Sequence, residues 1–187
     1  MPITITLPDG SSLQLEAGAT GATAARAIGR RLAEAAVAVR VDGELRDLST
    51  PLADGASLAV ITADADEGRA VLRHSAAHIM AQAVLGLFPG AQYAIGPAIE
   101  DGFYYDFAVG RPFTPEDLEA IEARMAEIVA ADQPFTREVV STEAALAAFG
   151  DQPFKREIIA GVEEAEGAAG VQVSLYRQVG KIHRKAI

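Results

Sequence analysis

Alternating apolar and polar residues open the chain and predict a β-hairpin. Residues 3–7 read Ile-Thr-Ile-Thr-Leu, residues 12–15 form a second alternating run, and Pro-Asp-Gly-Ser at 8–11 supplies a turn between them. From Thr20 to Ala36 apolar residues recur about every 3.6 positions, which predicts a single amphipathic helix of about four turns.

Three further strands are predicted before the chain turns acidic, at residues 37–41, 44–46 and 57–62. Two strands, a helix and three strands in about sixty residues predict a small mixed sheet packed on one helix. These elements form a first domain over residues 1–62. The polar segment 62–68 is interpreted as the hinge to a second domain over residues 63–187, and the alternative for part of it is the start of the next helix.

The second domain begins with helical periodicity and continues as mixed structure. Residues 69–87 present a broad apolar face and predict a helix that ends at Phe-Pro-Gly. Residues 93–99 and 103–107 predict two strands joined by a tight turn at 100–102. Thr114, followed by a proline and two acids, predicts the start of a helix that runs to about residue 131.

The remaining pattern predicts a strand, two helices, a loop and a last strand. These cover residues 135–140, 141–150, 153–160, 161–170 and 171–176 in that order.

Composition excludes several classes of protein. Half of the 187 residues are hydrophobic, which supplies a core, and without cysteine these residues form no disulfide, thiolate metal centre or thiol nucleophile. No apolar run approaches the ~18 residues of a membrane helix, so the prediction is a cytoplasmic protein with no membrane partner. A net charge of −10 argues against indiscriminate binding to nucleic acid, and DNA is not a predicted partner.

The candidate chemistry centres on two of the chain's three histidines. His74 and His78 stand four apart on the predicted helix, so their imidazoles project from one face about one turn apart. That spacing suits a metal ion or a water between two nitrogens, although two ligands do not complete a metal site. The alternative is a pair of part-buried histidines with ordinary partners. A His-Glu-x-x-His metalloprotease is excluded, because Ser-Ala-Ala separates the two rings.

Two stretches of the chain resemble a known family. Residues 73–78, Arg-His-Ser-Ala-Ala-His, and residues 94–106, Ala-Ile-Gly-Pro-Ala-Ile-Glu-Asp-Gly-Phe-Tyr-Tyr-Asp, resemble the editing domain of bacterial threonyl-tRNA synthetases. Residues 1–62 resemble the TGS domain that precedes it. The resemblance implies a ubiquitin-like β-grasp fold for residues 1–62. For residues 63–187 it implies a two-layer α+β editing fold that is incomplete at its C-terminal end.

The implied activity is hydrolysis of serine wrongly esterified to threonine tRNA. The implied partners are the acceptor end of that tRNA and the remaining synthetase domains. Serine lacks one methyl group of threonine, which gives a synthetic site only ~1–3 kcal/mol of discrimination, so a second and tighter pocket is needed. By correspondence with the family, His74 and His78 position the terminal adenosine and the attacking water. Lys155 matches the catalytic lysine region and could donate to the oxyanion; the alternative is a solvated helix lysine.

Aromatic and basic side chains supply further candidates for tRNA contact. Tyr104 and Tyr105 could stack on adenine, worth ~1–3 kcal/mol per base, but neighbours on a strand face opposite ways, so at most one reaches a pocket. The alternative for both is a place in the core. Arg26, Arg30 and Arg31 could contact phosphate, whereas an exposed helix face usually carries such charges for solubility.

The end of the chain departs from the family pattern. The family continues to an Asp and a Cys-x-x-x-His element that completes the pocket, and this chain instead reads Val-Gly-Lys-Ile-His-Arg-Lys-Ala-Ile over 179–187. His183 lies in this segment, and its surroundings do not match the missing element. The switch to basic composition favours a truncated or frame-shifted end. We expect zinc only as a weak ligand of His74 and His78, and ATP only in the ligase core that is absent here.

Two other functions fit the same residues. A non-catalytic tRNA-binding or regulatory module would dock through the β-grasp unit, as other TGS-bearing proteins do, or the chain would be an inactive remnant. A free-standing trans-editing deacylase would share the His-x-x-x-His pattern, and it too would need the absent Cys-x-x-x-His element.

Overall fold

The computed structural model describes residues 1–94, 96–133, 135–166 and 172–178. The chain divides into two compact units, Met1–Arg73 and His74–Ile187, with the boundary inside a helix. The domain boundary predicted at residues 62–63 stays a prediction. Among the described helices, none is both long and apolar enough to cross a membrane.

The first unit contains five strands and two short helices before the shared helix. They are β1 (Ile3–Thr6), β2 (Ser12–Leu15), α1 (Gly21–Ile28), α2 (Arg30–Ala35), β3 (Ala36–Val41), β4 (Glu44–Arg46) and β5 (Leu58–Thr62). Strand β1 pairs antiparallel with β2, and β3 pairs antiparallel with both β4 and β5. A parallel bridge between Thr6 and Ser57 joins the two groups of strands. The predicted mixed sheet is confirmed.

The core of the first unit lies between this sheet and α1. Ile5 and Val39 are fully buried, and Leu58 and Ala24 pack in the same cluster. The buried positions of β1 alternate with exposed threonines, as the period of two in the sequence predicts. The alternating pattern therefore decides which face of this strand meets the core.

The prediction of one helix from Thr20 to Ala36 is wrong. Gly29 adopts an extended backbone, with φ 174° and ψ 145°, and separates α1 from α2. Glycine costs about 1 kcal/mol relative to alanine inside a helix, so the break falls at the weakest position. The end of the predicted helix is also wrong, since Ala36 is the first residue of β3.

The second unit shares helix α3 (Asp66–Leu87) with the first. Its other described elements are β6 (Gln92–Tyr93), β7 (Ala98–Ile99), β8 (Gly102–Phe103), β9 (Phe107–Ala108), α4 (Pro115–Ala130), β10 (Phe135–Ser141), α5 (Thr142–Ala148), α6 (Pro153–Glu166) and β11 (Gln172–Gln178). Strands β10 and β11 pair antiparallel over seven residues.

The predicted aromatic hairpin appears as two short pairings rather than two continuous strands. Tyr93 pairs with Phe107 in β6 and β9, and Ile99 pairs with Gly102 in β7 and β8. The turn between β7 and β8 occupies residues 100–101, and Gly102, predicted as its third residue, is instead the first residue of β8. Two buried clusters flank this hairpin, one built around Phe149 and Ile159 and the other around Val84 and Ile121.

Two predicted helix limits are wrong. Helix α3 begins at Asp66 rather than at residue 69, so part of the segment 62–68 opens the helix, as its alternative interpretation has it. Asp66 and Glu67 lie in the first turn and favour a helix N-terminus. Helix α6 continues to Glu166, although residues 161–170 predict a loop. Alanine and glutamate are strong helix formers and continue the helix past Gly161.

Helix α4 begins with the cap that the sequence predicts. The Asp117 amide donates to Thr114 Oγ1 at 3.3 Å, and Asp117 Oδ2 accepts from the Thr114 amide at 2.8 Å. Arg111 also donates to the carboxylate, at 2.9 Å from Nη2 to Oδ1. The hydrogen bonds from Arg111 and from the Thr114 backbone hold the pKa of Asp117 well below its ordinary value.

We expect Thr114→Ala to lower the free energy of unfolding by about 1 kcal/mol, because the Asp117 amide loses its acceptor. Urea denaturation of the whole chain measures this loss. Glu119→Ala, an exposed change in the same helix, is the control and should stay within about 0.5 kcal/mol of the starting protein. Equal stability of the two variants would show that the cap contributes nothing.

Candidate active site

Helix α3 brings the two predicted histidines into direct contact. The Nε2 atoms of His74 and His78 lie 3.0 Å apart, and the ring centroids are 4.7 Å apart with the planes at 79°. Both side chains are half-buried. The separation of four residues places them on successive turns of one face, as predicted from the sequence.

A 3.0 Å separation between ring nitrogens is that of a hydrogen bond. With both rings neutral, one Nε2 carries the proton and donates it, and the other Nε2 accepts. In this state Nδ1 of the donating ring bears a lone pair and Nδ1 of the accepting ring bears a proton. That combination can orient a water and take a proton from it.

Lys155 is not the solvated lysine of the alternative interpretation. Its side chain is only 8% exposed, in the first half of α6. Its Nζ lies 5.2 Å from the centroid of the Tyr93 ring. Burial away from water disfavours the ammonium and lowers the pKa of Lys155 to about 8.

The position of Lys155 depends on how the start of α6 is fixed against β6. Gln152 Oε1 accepts a hydrogen bond from the Tyr93 amide at 3.2 Å, and Gln152 Nε2 donates to the Ala91 carbonyl at 3.4 Å. These bonds join residues some sixty positions apart. The lysine and the tyrosine ring are therefore brought together by tertiary structure, which explains why the sequence pattern around Lys155 looks like an exposed helix.

The two tyrosines proposed to stack on adenine have different surroundings. Tyr104 is 51% exposed. Tyr105 packs in the core, where its ring stacks on Phe107 at 4.9 Å between centroids and approaches the α-carbon of Gly96. Burial raises the pKa of the Tyr105 hydroxyl above its ordinary value. Tyr105 thus takes the core position of the alternative interpretation, and stacking by Tyr104 stays a prediction.

The described part of the chain does not fit a zinc site. Within it, no three or more His, Asp or Glu side chains converge as metal ligands. His74 and His78 alone would supply two nitrogens, where a zinc site uses at least three protein ligands. His183 lies outside the described residues. We therefore derive no metal-dependent step.

The basic residues predicted to contact phosphate lie on the surface of the first unit. Arg26, Arg30 and Arg31 are all exposed. Arg30 Nε lies 2.9 Å from Glu34 Oε1, the i, i+4 pairing of a solvated helix face. Contact of these residues with phosphate stays a prediction.

Gln82 is a buried polar residue of α3 that the sequence interpretation missed. It is 6% exposed, and its Nε2 donates to Gln133 Oε1 at 3.2 Å. Gln82 follows His78 by four residues, as His78 follows His74. The available signal was therefore a third polar side chain at the same helical interval, within a segment otherwise interpreted as an apolar face.

Comparison with known families defines the class of the first unit. Residues 3–62 match the TGS domain. The mixed sheet of β1–β5 with helices against it agrees with the β-grasp fold expected for that class. The first unit is a TGS domain.

Curated relatives extend the match through most of the second unit. The chain is 51% identical over 176 residues to a threonine–tRNA ligase of Pelobacter propionicus, which covers 94% of this chain and 27% of that protein. It is 57% identical over 145 residues to that of Acidithiobacillus ferrooxidans, with 78% and 22% covered. For the Maricaulis maris protein the identity is 56% over 147 residues, with 79% and 23% covered.

These identities confirm the resemblance found in the sequence. The chain is a relative of the N-terminal regions of threonine–tRNA ligases. It spans about a quarter of the length of the curated relatives it matches.

Proposed function

We propose that the second unit carries the editing function of a threonine–tRNA ligase, hydrolysis of serine esterified to threonine tRNA. The observation that carries the proposal is the hydrogen-bonded pair of His74 and His78, with Nε2 atoms 3.0 Å apart. A helix rarely gains stability from two adjacent imidazoles, whereas ester hydrolysis needs a base at a fixed position. The acceptor end of the tRNA is the proposed partner.

In this mechanism Nδ1 of the imidazole that donates the ring-to-ring hydrogen bond removes a proton from a water as the water oxygen attacks the ester carbonyl carbon. The bond between that carbon and the ribose oxygen then breaks. The imidazolium returns the proton to the ribose oxygen, so the products are free serine and tRNA with its terminal hydroxyl restored. The second imidazole holds the first through the ring-to-ring hydrogen bond and fixes its orientation.

Lys155 is the proposed donor to the oxyanion or to the serine hydroxyl. With a pKa of about 8, its side chain is still mostly an ammonium at pH 7. Because it is buried, its charge is less screened by water than that of a surface lysine, so its hydrogen bond to a developing negative charge is stronger. The proposal therefore gives the buried charge a chemical role.

The proposal predicts that the whole chain deacylates seryl-tRNA for threonine and leaves threonyl-tRNA intact. We expect the double variant His74→Ala, His78→Ala to lose about a hundredfold in rate, because general base catalysis typically contributes 10²–10⁴-fold. Release of labelled serine at pH 7.5 measures the rate. Removal of two half-buried rings also challenges folding, so circular dichroism of the double variant accompanies the assay.

Gln92→Ala is the matched control, since Gln92 is a half-buried polar residue of the same unit outside the pair. It should deacylate at the starting rate. Unchanged turnover in the folded double histidine variant would reject the proposed role of the pair.

A second candidate is tRNA binding without hydrolysis. This function is favoured by the composition of the site. His74 and His78 supply two imidazoles, and among the described residues no third side chain converges with them as a metal ligand. Filter binding across a salt series separates the two functions. Affinity that falls with salt, without serine release, would support the binding module.

A further inference from the structure

The polar row on α3 has three members at equal spacing. His74, His78 and Gln82 follow one another at four-residue intervals, so each lies about one turn above the last on the same face. Long side chains on a helix lean toward its N-terminus. The Gln82 amide therefore leans toward the turn that carries His78.

One end of the Gln82 amide is occupied and the other is not. Nε2 donates to Gln133 Oε1 at 3.2 Å, while Oε1 is buried without a hydrogen-bond partner. Exchanging the oxygen and nitrogen of both amides would keep the contact and leave the Gln82 nitrogen unpartnered instead. In either assignment one buried polar atom of Gln82 has no protein partner.

A buried amide atom in this position is normally satisfied by a water molecule. Gln82 is 6% exposed, so bulk solvent does not supply the bond. A water on this atom would lie toward the turn that carries His78. Two or more polar partners are what an ordered buried water requires.

We propose that Gln82 is a positioning residue that holds a water against the His74–His78 pair. This inference rests on the proposed function for its chemical meaning, since the water is the one that the imidazoles would orient. Gln133 fixes the far end of the Gln82 amide, and the near end supplies the acceptor. The placement of the water is a property of the protein before any substrate binds.

The first test needs no reaction. Nitrogen-15 spectra of the imidazoles in the whole chain contain signals from only three histidines, so His74 and His78 can be assigned by substitution. Gln82→Met, which keeps the length of the side chain and removes the amide, should shift the His78 ring signals and remove the water cross-peak to that ring. Gln92→Met is the control, because Gln92 is a half-buried glutamine of the same unit outside the row on α3, and its replacement should leave the ring signals in place.

Three results would overturn the inference. Unchanged ring signals in Gln82→Met would show that no water links the amide to the histidines. Equal shifts in Gln82→Met and Gln92→Met would show a general effect of substitution in this unit rather than loss of a water. If Gln82→Met does not fold, water cross-peaks to the Gln82 side chain of the unchanged protein decide, and their absence overturns the inference.

The second test uses the deacylation of seryl-tRNA. We expect Gln82→Met to lower kcat about tenfold with little change in KM, the effect of about one hydrogen bond to the attacking water. Gln92→Met should retain the starting kcat. A starting protein that does not deacylate contradicts the proposed function, whereas the ring signals still decide whether Gln82 holds the water.

Discussion

Replacement of Lys155 with methionine should raise the free energy of unfolding at pH 7 by about 3 kcal/mol. The ordinary lysine pKa of 10.5 falls to about 8 in the folded protein, so folding must bury an ammonium that prefers water. Each unit of pKa change corresponds to about 1.4 kcal/mol. The contact with the Tyr93 ring, worth about 2 kcal/mol at a desolvated site, offsets part of this cost without reversing it.

The stability gained in Lys155→Met should decrease as the pH rises. Between pH 8 and 10.5 the unfolded chain keeps the lysine proton while the folded chain has lost it, so the unfolded state binds more protons. The stability of the starting protein therefore rises with pH across this window, relative to the methionine variant. Urea denaturation of both proteins at pH 7, 9 and 10.5 should show the difference shrinking toward zero.

Arg156→Met is the matched control for Lys155→Met. Arg156 is the next residue of α6 and is exposed, so its replacement should change stability by no more than about 0.5 kcal/mol at any of these pH values. A pH-independent gain in Lys155→Met would show better packing rather than removal of a buried charge. Loss of deacylation together with a gain in stability would mark Lys155 as a residue kept for function.

The parts of the fold that the sequence predicts are those governed by local periodicity. Alternation over residues 3–7 predicts the buried face of β1, and the Thr114 cap predicts where α4 begins. The contact between His74 and His78 follows from their spacing on one helix. In each case residues within one or two turns decide the result, so no knowledge of distant parts of the chain is needed.

The parts that the sequence does not predict depend on distant residues or on marginal propensities. Lys155 is buried because α6 packs against β6, about sixty residues earlier in the chain. Gly29 and Gly161 stand in similar helical patterns, yet the helix breaks at Gly29 and α6 continues past Gly161. A cost of about 1 kcal/mol is small enough for tertiary packing to decide either way.

Gly96→Ala should lower the free energy of unfolding by about 3 kcal/mol. A Cβ at this position would overlap ring carbons of Tyr105, closer than side chains approach in folded proteins. The Tyr105 ring cannot simply move aside, because it stacks on Phe107 at 4.9 Å and contacts Tyr93 at 6.2 Å between centroids. Forcing an extra methyl into a packed core typically costs about 1–3 kcal/mol, and a rigid ring places this site at the upper end.

Gly86→Ala is the control for the added methyl group, since a Cβ there meets nothing within 4 Å and the residue lies inside α3. It should leave stability unchanged or raise it by up to about 1 kcal/mol. Urea denaturation of the two variants gives the comparison, and a Gly96→Ala protein as stable as Gly86→Ala would contradict the packing argument.

Gly96→Ala should also affect Lys155, because Tyr93 contacts Lys155 Nζ. We expect the lysine to become more exposed and its pKa to rise toward the ordinary value. The glycine in the segment that carries the family resemblance thus has a physical reason, the approach of the Tyr105 ring. Tyr105 in turn contacts Tyr93, the ring next to the proposed oxyanion donor Lys155.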